Sequence, residues 1–237
     1  MKSCIIYKMD SELINKYKSH LETSIENAEN GKSKLIEELY NIDGMTGKIT
    51  KRFYNNLLEL EDARYLEIGC YKGSSTCSAL YKNKATLVCI DNWHDFFLNE
   101  LHNGISSTPP ITEFLNNIAM YKGENNLVFH NEDCFKIDIN KLGKFNIYMY
   151  DGDHTYESQY NALKYYIDAM DDIFIYVVDD WNEEPVRSGT FDAIRDLKLE
   201  NVWSHTIRLT FNNTHTPADI AHETWWNGCY MCVLKKV

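Results

Sequence analysis

Five short apolar runs, at residues 65–68, 86–90, 127–130, 147–150 and 174–178, alternate with stretches whose apolar residues recur at helical spacing. That alternation constrains the fold most, because strands joined through helices form right-handed crossover units that assemble into a doubly wound, mostly parallel sheet. The helical patterns fall at 74–81, 112–121, 156–170 and 190–197, with only a short turn near 139–142. Two further strand patterns, 202–209 and 229–234, are joined by a segment with too little helical signal for a crossover. They are therefore expected to run antiparallel to each other, giving a seven-stranded sheet whose last strand is reversed.

Ahead of the sheet, residues 10–42 read as one or two helices. Leu13, Ile14, Tyr17 and Leu21 follow Ser11 at helical spacing, a break comes at Asn30-Gly31, and Leu35, Ile36, Leu39 and Tyr40 resume the pattern. Residues 1–44 are expected to form a helical cap beside a main domain at 45–237, which opens on an amphipathic stretch at 51–60. At 237 residues and 44% hydrophobic, the chain can bury the core of one such domain with a modest appendage. Connections at 93–111 and 210–227 exceed the usual loop length, marking them as suspected lids.

A net charge of −11 argues against tracking a nucleic-acid backbone, and the short Lys82/Lys84 and Lys235-Lys236 pairs read as solvated edges. No apolar run approaches the roughly 18–20 residues of a membrane span, and the start is too short in apolar residues for a signal peptide, so a soluble cytoplasmic protein is expected. Seven scattered cysteines suit reduced, buried thiols. Cys229 and Cys232 have redox or zinc spacing, but in a strand they would point to opposite faces.

Acids stand where apolar runs end. Asp151 closes the fourth run in Asp151-Gly-Asp-His154, and Asp179-Asp180 closes the fifth. The crevice outside the carboxyl ends of parallel strands is where ligands sit, so these acids are expected to converge. Two like charges about 4 Å apart repel by roughly 4 kcal/mol at an effective dielectric near 20, so such a trio calls for a cation or a retained proton. An oxygen-rich set suits Mg²⁺, Mn²⁺ or Ca²⁺ better than zinc.

Glu67-Ile-Gly69-Cys-Tyr71-Lys-Gly73-Ser74-Ser75 follows the first strand and opens a helix. Glycines there let backbone approach a ligand, and a helix start favours an anionic group. The third glycine of a dinucleotide fingerprint is missing, which weakens a nicotinamide reading. Asp91, ending the second strand before Asn92, is placed to accept from ribose hydroxyls or to cap a turn; Asp133, after the third, could bind an adenine amino group or start a turn.

This series of an acid in the first strand, the E-x-G-x-Y-x-G-x-S loop and acids after strands two to five resembles the Rossmann-like class I S-adenosylmethionine-dependent methyltransferases. The tyrosine-containing loop is similar to that of metal-dependent O-methyltransferases of the catechol and caffeoyl-CoA type. The Asp-Gly-Asp-His run with its later Asp-Asp is similar to the macrolide-sugar and aminocoumarin-sugar O-methyltransferases, over roughly residues 45–237. The resemblance implies that Glu67, Gly69, Tyr71, Gly73, Ser74 and Ser75 hold the methionine part of S-adenosylmethionine, with Tyr71 near its sulfonium. Asp91 with Asn92 would take the ribose, Asp133 the adenine, and Met45, Thr46 and Gly47 would touch the cofactor from the preceding loop. Asp151, Asp179 and Asp180 occupy the family's metal positions, for Mg²⁺ or Mn²⁺.

A cation there could coordinate the acceptor hydroxyl and lower its pKa, but a base must still take the proton. His154 is the first choice and Asp153 the rival, both placed by the resemblance; the plain alternative for His154 is a helix-start cap. Trp181 and Trp226 are candidate acceptor contacts, although tryptophans beside strands also pack cores. Arg187 reads as a surface salt bridge rather than an anion site. The expected activity is O-methylation of a sugar hydroxyl on a glycan or glycosylated small molecule, with homo-oligomerisation left open. The alternatives are a catechol-like acceptor, a nicotinamide-dependent oxidoreductase, and a non-catalytic methyltransferase-fold binding protein.

Overall fold

In the computed structural model, which describes residues 2–105 and 107–237, the apolar runs build one sheet of seven strands. In chain order the elements are α1 (Lys2–Glu29), α2 (Glu37–Tyr40), α3 (Lys48–Leu57), β1 (Arg64–Ile68), α4 (Ser74–Leu80), β2 (Thr86–Asp91), α5 (His94–His102), α6 (Pro110–Tyr121), β3 (Asn126–Asn131), β4 (Phe145–Tyr150), α7 (Tyr156–Tyr166), β5 (Met170–Asp179), α8 (Glu184–Asp196), β6 (Glu200–Ile207), α9 (Ala218–Ala221) and β7 (Cys229–Lys235). The strand order is β3-β2-β1-β4-β5-β7-β6. Strands β1 to β5 pair in parallel, and β7 runs antiparallel to both β5 and β6. This is the doubly wound Rossmann-like α/β fold that the alternation implies.

Successive strand residues point to opposite faces, so each central strand feeds two cores. Tyr65, Cys89, Ile147, Met149, Ile175, Val177 and Met231 join Phe53 and Leu57 of α3 in one. Tyr17, Leu21, Ile25 and Ala28 of α1, spaced for a single helix face, complete that layer. Leu66, Ile68, Tyr148, Tyr150, Tyr176 and Val178 pack on the other face with Leu163 and Tyr166 of α7 and Ile194 of α8. Cys229 lies in the first core and Cys232 in the second, so this spacing builds neither a redox pair nor a zinc clamp.

Several boundaries differ from expectation. Helix α5 occupies part of the expected long loop, and Leu98 and Leu101 on it are exposed. Helix α8 begins at Glu184 rather than 190, since Pro185 is tolerated in a first turn where its missing N–H had no partner. Helix α7 ends at Tyr166, and a 3₁₀ turn leads into β5 at Met170.

From β1 the sheet grows one way through β2 and β3 and the other way through β4 and β5. The crevice above the carboxyl ends of β1 and β4 is therefore the topological switch point where such sheets bind ligands. Gly69 and Asp151 are the residues that follow those two ends.

Candidate functional site

The loop after β1 is bent by backbone that only glycine adopts easily: Gly69 has φ +85° and Gly73 φ +84°. A Cβ on Gly69 would collide with the Asp151 carbonyl, so the loop lies directly against the start of the acidic segment. Asp91 clamps the loop from β2. Its Oδ2 accepts from the N–H groups of Cys70 (2.7 Å) and Tyr71 (2.8 Å), and its Oδ1 accepts from Trp93 N (2.7 Å). Each carboxylate oxygen carries two lone pairs, so Oδ1 keeps one for a further donor.

Glu67 is fully buried. Ser75 Oγ donates to its Oε1 at 2.5 Å, while Oε2 has no hydrogen-bond partner. Desolvation lifts this carboxyl to about 7, against the opposing hydrogen bond of Ser75. From the other side, Gly44 packs on Ser74, and Gly47 packs on the turn carrying Ala221, Thr224 and Trp226. Thr46 is buried and Met45 exposed. Lys51 holds this approach in place, donating from Nζ to the carbonyls of Leu39 (3.2 Å), Tyr40 (3.0 Å) and Ile42 (3.1 Å).

Beside the loop, donor atoms of Asp151, His154 and Asp180 all lie within 4.8 Å of one another. Asp180 adopts φ +55°, a strained conformation for a side-chain-bearing residue. Its Oδ2 meets His154 Nε2 at 2.8 Å, and its Oδ1 accepts from Asn227 Nδ2 at 2.9 Å. Those two partners overcome desolvation and keep Asp180 below the usual carboxylate range. Asp151 is pushed well above it by burial and then by Asp179 and Asp180, so it holds a proton where Asp180 holds a charge. For His154, burial opposes protonation, but Asp180 and Glu183 outweigh it and raise the imidazole to about 9.

Asp179, expected as the third ligand, does not join this group. Its Oδ1 accepts from Asp180 N at 2.9 Å, and its Oδ2 accepts from Tyr54 Oη at 3.3 Å. Burial and the Asp180 charge raise it to about 8. A second three-residue group, Asp180, Glu183 and His215, shares Asp180 with the first. Its centre is already taken by the Asn227 amide, whose Nδ2 reaches Asp180, Glu183 Oε1 (3.4 Å) and His215 Nδ1 (3.1 Å). Two donors to Asn227 Oδ1, from Asn182 Nδ2 (2.8 Å) and Thr216 N (3.1 Å), fix which way that amide points. The donor set that fits a hard divalent cation is thus the first group, two carboxylates and one imidazole.

Glu183, Asn227 and Tyr54 escaped the sequence reading. Glu183 sits three residues past Asp180 at a helix start, and its Oε1 meets His154 Nδ1 at 3.1 Å. Asn227 precedes Gly228 at the opening of β7, a weak signal by itself.

Other candidates have partners of their own. Trp181 is 1% exposed and stacks on Tyr230 with ring centroids 4.3 Å apart, so it packs the core and is closed to an acceptor. Trp226 is half-buried, with its ring 4.8 Å from that of His222. Asp153 accepts from the hydroxyls of Thr155 and Ser158, both at 2.6 Å, at the start of α7. Asp133 accepts from Phe135 N (2.9 Å) and pairs with Lys136 (3.2 Å), the geometry of a turn. Asn92 accepts from His94 N (3.2 Å) at the start of α5. Arg187 forms no salt bridge among the described residues; it donates to the carbonyls of Trp181 and Asn182 and to Asn213.

Residues 66–181 match the profile of a family described as a methyltransferase domain. Among solved structures, the O-methyltransferase of Bacillus cereus in complex with SAH aligns with 92% of this chain and 91% of its own, at 13% identity and TM-score 0.52. An SAH-bound methyltransferase of Podospora anserina aligns over 98% and 96%, at 12% identity and TM-score 0.50. A proposed RNA methyltransferase of Pyrococcus horikoshii aligns over 87% and 92%, at 10% identity and TM-score 0.51. No curated protein matches significantly. At such identities the likeness concerns the fold, which these proteins put to different acceptors. Residues 66–181 are thus similar to a methyltransferase domain, and the chain has the Rossmann-like fold of the solved methyltransferases it aligns with.

Proposed function

We propose that the protein is a divalent-cation-dependent O-methyltransferase that moves the methyl group of S-adenosylmethionine to a sugar hydroxyl of a glycan or glycosylated small molecule. The observation that carries this reading is the meeting of Asp151, His154 and Asp180 within 4.8 Å, against the glycine loop. The donor fits that loop. Gly69 and Gly73 allow close backbone approach, and Glu67 Oε2 is a buried acceptor without a partner, complementary to an ammonium group. Bound there, S-adenosylmethionine would present a sulfonium methyl to an oxygen held in line with it.

Asp151 and Asp180 would hold Mg²⁺ or Mn²⁺, with His154 beside them. That cation would lower the pKa of the acceptor hydroxyl and, through its own charge, oppose protonation of His154. Glu183 fixes the imidazole through Nδ1, and a cation that drew Asp180 away from Nε2 would leave that nitrogen to take the acceptor's proton. Asp153 is poorly suited to that task, because both hydroxyl donors favour its charged form and lower its pKa against the burial that raises it. Tyr54 holds Asp179 behind the cation position, and the half-buried Trp226 flanks the approach through Gly47.

A methyl-transfer screen over monosaccharides, nucleotide sugars and catechols, with Mg²⁺, Mn²⁺ or EDTA, tests this. Transfer to a sugar that EDTA and Asp151→Asn abolish is expected. Transfer that survives both would remove the cation from the mechanism, and transfer to catechols alone would change the acceptor class.

A further inference from the structure

Below the glycine loop, on the sheet face that carries α3 and α4, lies a cluster that methyl transfer uses only in part. Cys89 stands beside Glu67 in the β1–β2 register, and Cys70 follows Glu67 by three residues. Donor atoms of all three lie within 4.8 Å of one another. Glu67 and Cys89 are fully buried, and Cys70 is 2% exposed. Both thiols are free. Cys70 Sγ makes long contacts, 3.9 Å each, to the carbonyls of Glu67 and Ile90, and its side-chain neighbour is Cys89. Glu67 Oε2 has no hydrogen-bond partner, and an orphaned carboxylate oxygen in the interior is costly.

We infer that Glu67, Cys70 and Cys89 form a binding site for a thiophilic divalent cation of the Zn²⁺ or Cd²⁺ kind, whose occupancy excludes the methyl donor. A tetrahedral ion with bonds of about 2.0–2.3 Å separates its ligands by roughly 3.3–3.8 Å, a spacing this cluster accommodates. Two sulfurs and one carboxylate are softer than the Asp151, His154 and Asp180 set, so the two sites select different cations. On binding, each thiol gives a proton to solvent as its sulfur joins the ion, and Glu67 gives up any proton it holds. The ion would occupy the orphaned Oε2 and fix the Cys70 end of the loop that Asp91 clamps. The exclusion rests on the reading of that loop as the donor site.

The test is a titration of the metal-free full chain with CdCl₂, followed through the ultraviolet cadmium–thiolate charge-transfer band. One equivalent should generate the band. Cys70→Ser and Cys89→Ser should each abolish it, whereas Cys134→Ser and Asp151→Asn should keep it. Saturating S-adenosylmethionine should weaken Cd²⁺ binding at least about tenfold, since both compete for Glu67. Absence of the band, or a band that survives both cysteine variants, overturns the site. Should those variants misfold, cadmium protection of Cys70 and Cys89 from alkylation in the unmutated chain decides, and no protection overturns it. If the donor binds but Cd²⁺ leaves its affinity unchanged, the exclusion falls. If the donor itself never binds, the methyl-transfer reading falls, while the band still judges the cation site.

Discussion

Gly69 packs its α-carbon so tightly against the carbonyl of Asp151 that no side chain fits between them. This contact ties the loop after β1 to the acidic turn after β4, two segments that hold different halves of the proposed reaction. Gly69→Ala should therefore disturb both. The φ of +85° and the collision together are expected to cost about 2–4 kcal/mol of stability, read as a lower denaturation midpoint. S-adenosylmethionine affinity, measured by calorimetry, should fall by more than tenfold. Unchanged donor affinity in the folded variant would show that the loop tolerates the shift.

The pH response of stability follows from four raised groups. Glu67 at about 7, Asp179 at about 8, Asp151 well above its usual range and His154 at about 9 all bind protons more tightly folded than unfolded. Stability from such groups is fully present below their unfolded values and is lost as pH rises through the folded ones. In EDTA, the melting temperature should accordingly fall between about pH 5 and pH 9. Asp180, lowered instead, acts only at acid pH, and Lys51, lowered to about 8 by burial, opposes the trend only at the alkaline end. Bound as proposed, Mg²⁺ or Mn²⁺ would replace the retained protons, so its stabilising effect should grow with pH. Asp151→Asn should flatten the fall in EDTA; a melting temperature that climbs across this range would contradict the charge assignment.

The sheet was legible because strand runs and turn glycines are local signals, and each of the seven runs forms a strand. The acids ending β4 and β5 were legible for the same reason. What each carboxylate does was not, because that depends on partners far along the chain. Asp179 turns to Tyr54 and Asp180 to Asn227, more than forty positions away in each case, and no periodicity encodes such pairs. The partners of Trp181 and Asp153 were equally hidden: one stacks on Tyr230 and the other bonds Thr155 and Ser158 at the start of α7.

Lys51 offers a test remote from the chemistry. Its ammonium supplies one donor to each of three carbonyls around the end of α2, and among the described residues no other side chain serves them. Lys51→Met keeps the apolar stem but leaves those acceptors unsatisfied, with an expected loss of about 2–4 kcal/mol in urea denaturation. Because the same segment leads into Met45–Gly47, partial proteolysis should also find a new site near residue 43. A variant as stable as the parent would mean that water satisfies these carbonyls.

His154 and Asp153 adjoin in sequence but differ in what their side chains hold. Asp153 binds Thr155 and Ser158 hydroxyls at the start of α7, while His154 spans Asp180 and Glu183. Removing Asp153 should therefore act on stability, by about 1 kcal/mol as for a lost helix cap, and leave turnover within a few-fold of the parent. Removing His154 should act on turnover, by about 10²-fold to 10⁴-fold, with S-adenosylmethionine affinity largely retained. The two alanine variants, assayed for melting temperature and for kcat on the same acceptor, separate the roles. The opposite pattern, with turnover lost at Asp153 and kept at His154, would transfer the proton to the aspartate and make the His154–Glu183 pair a structural brace.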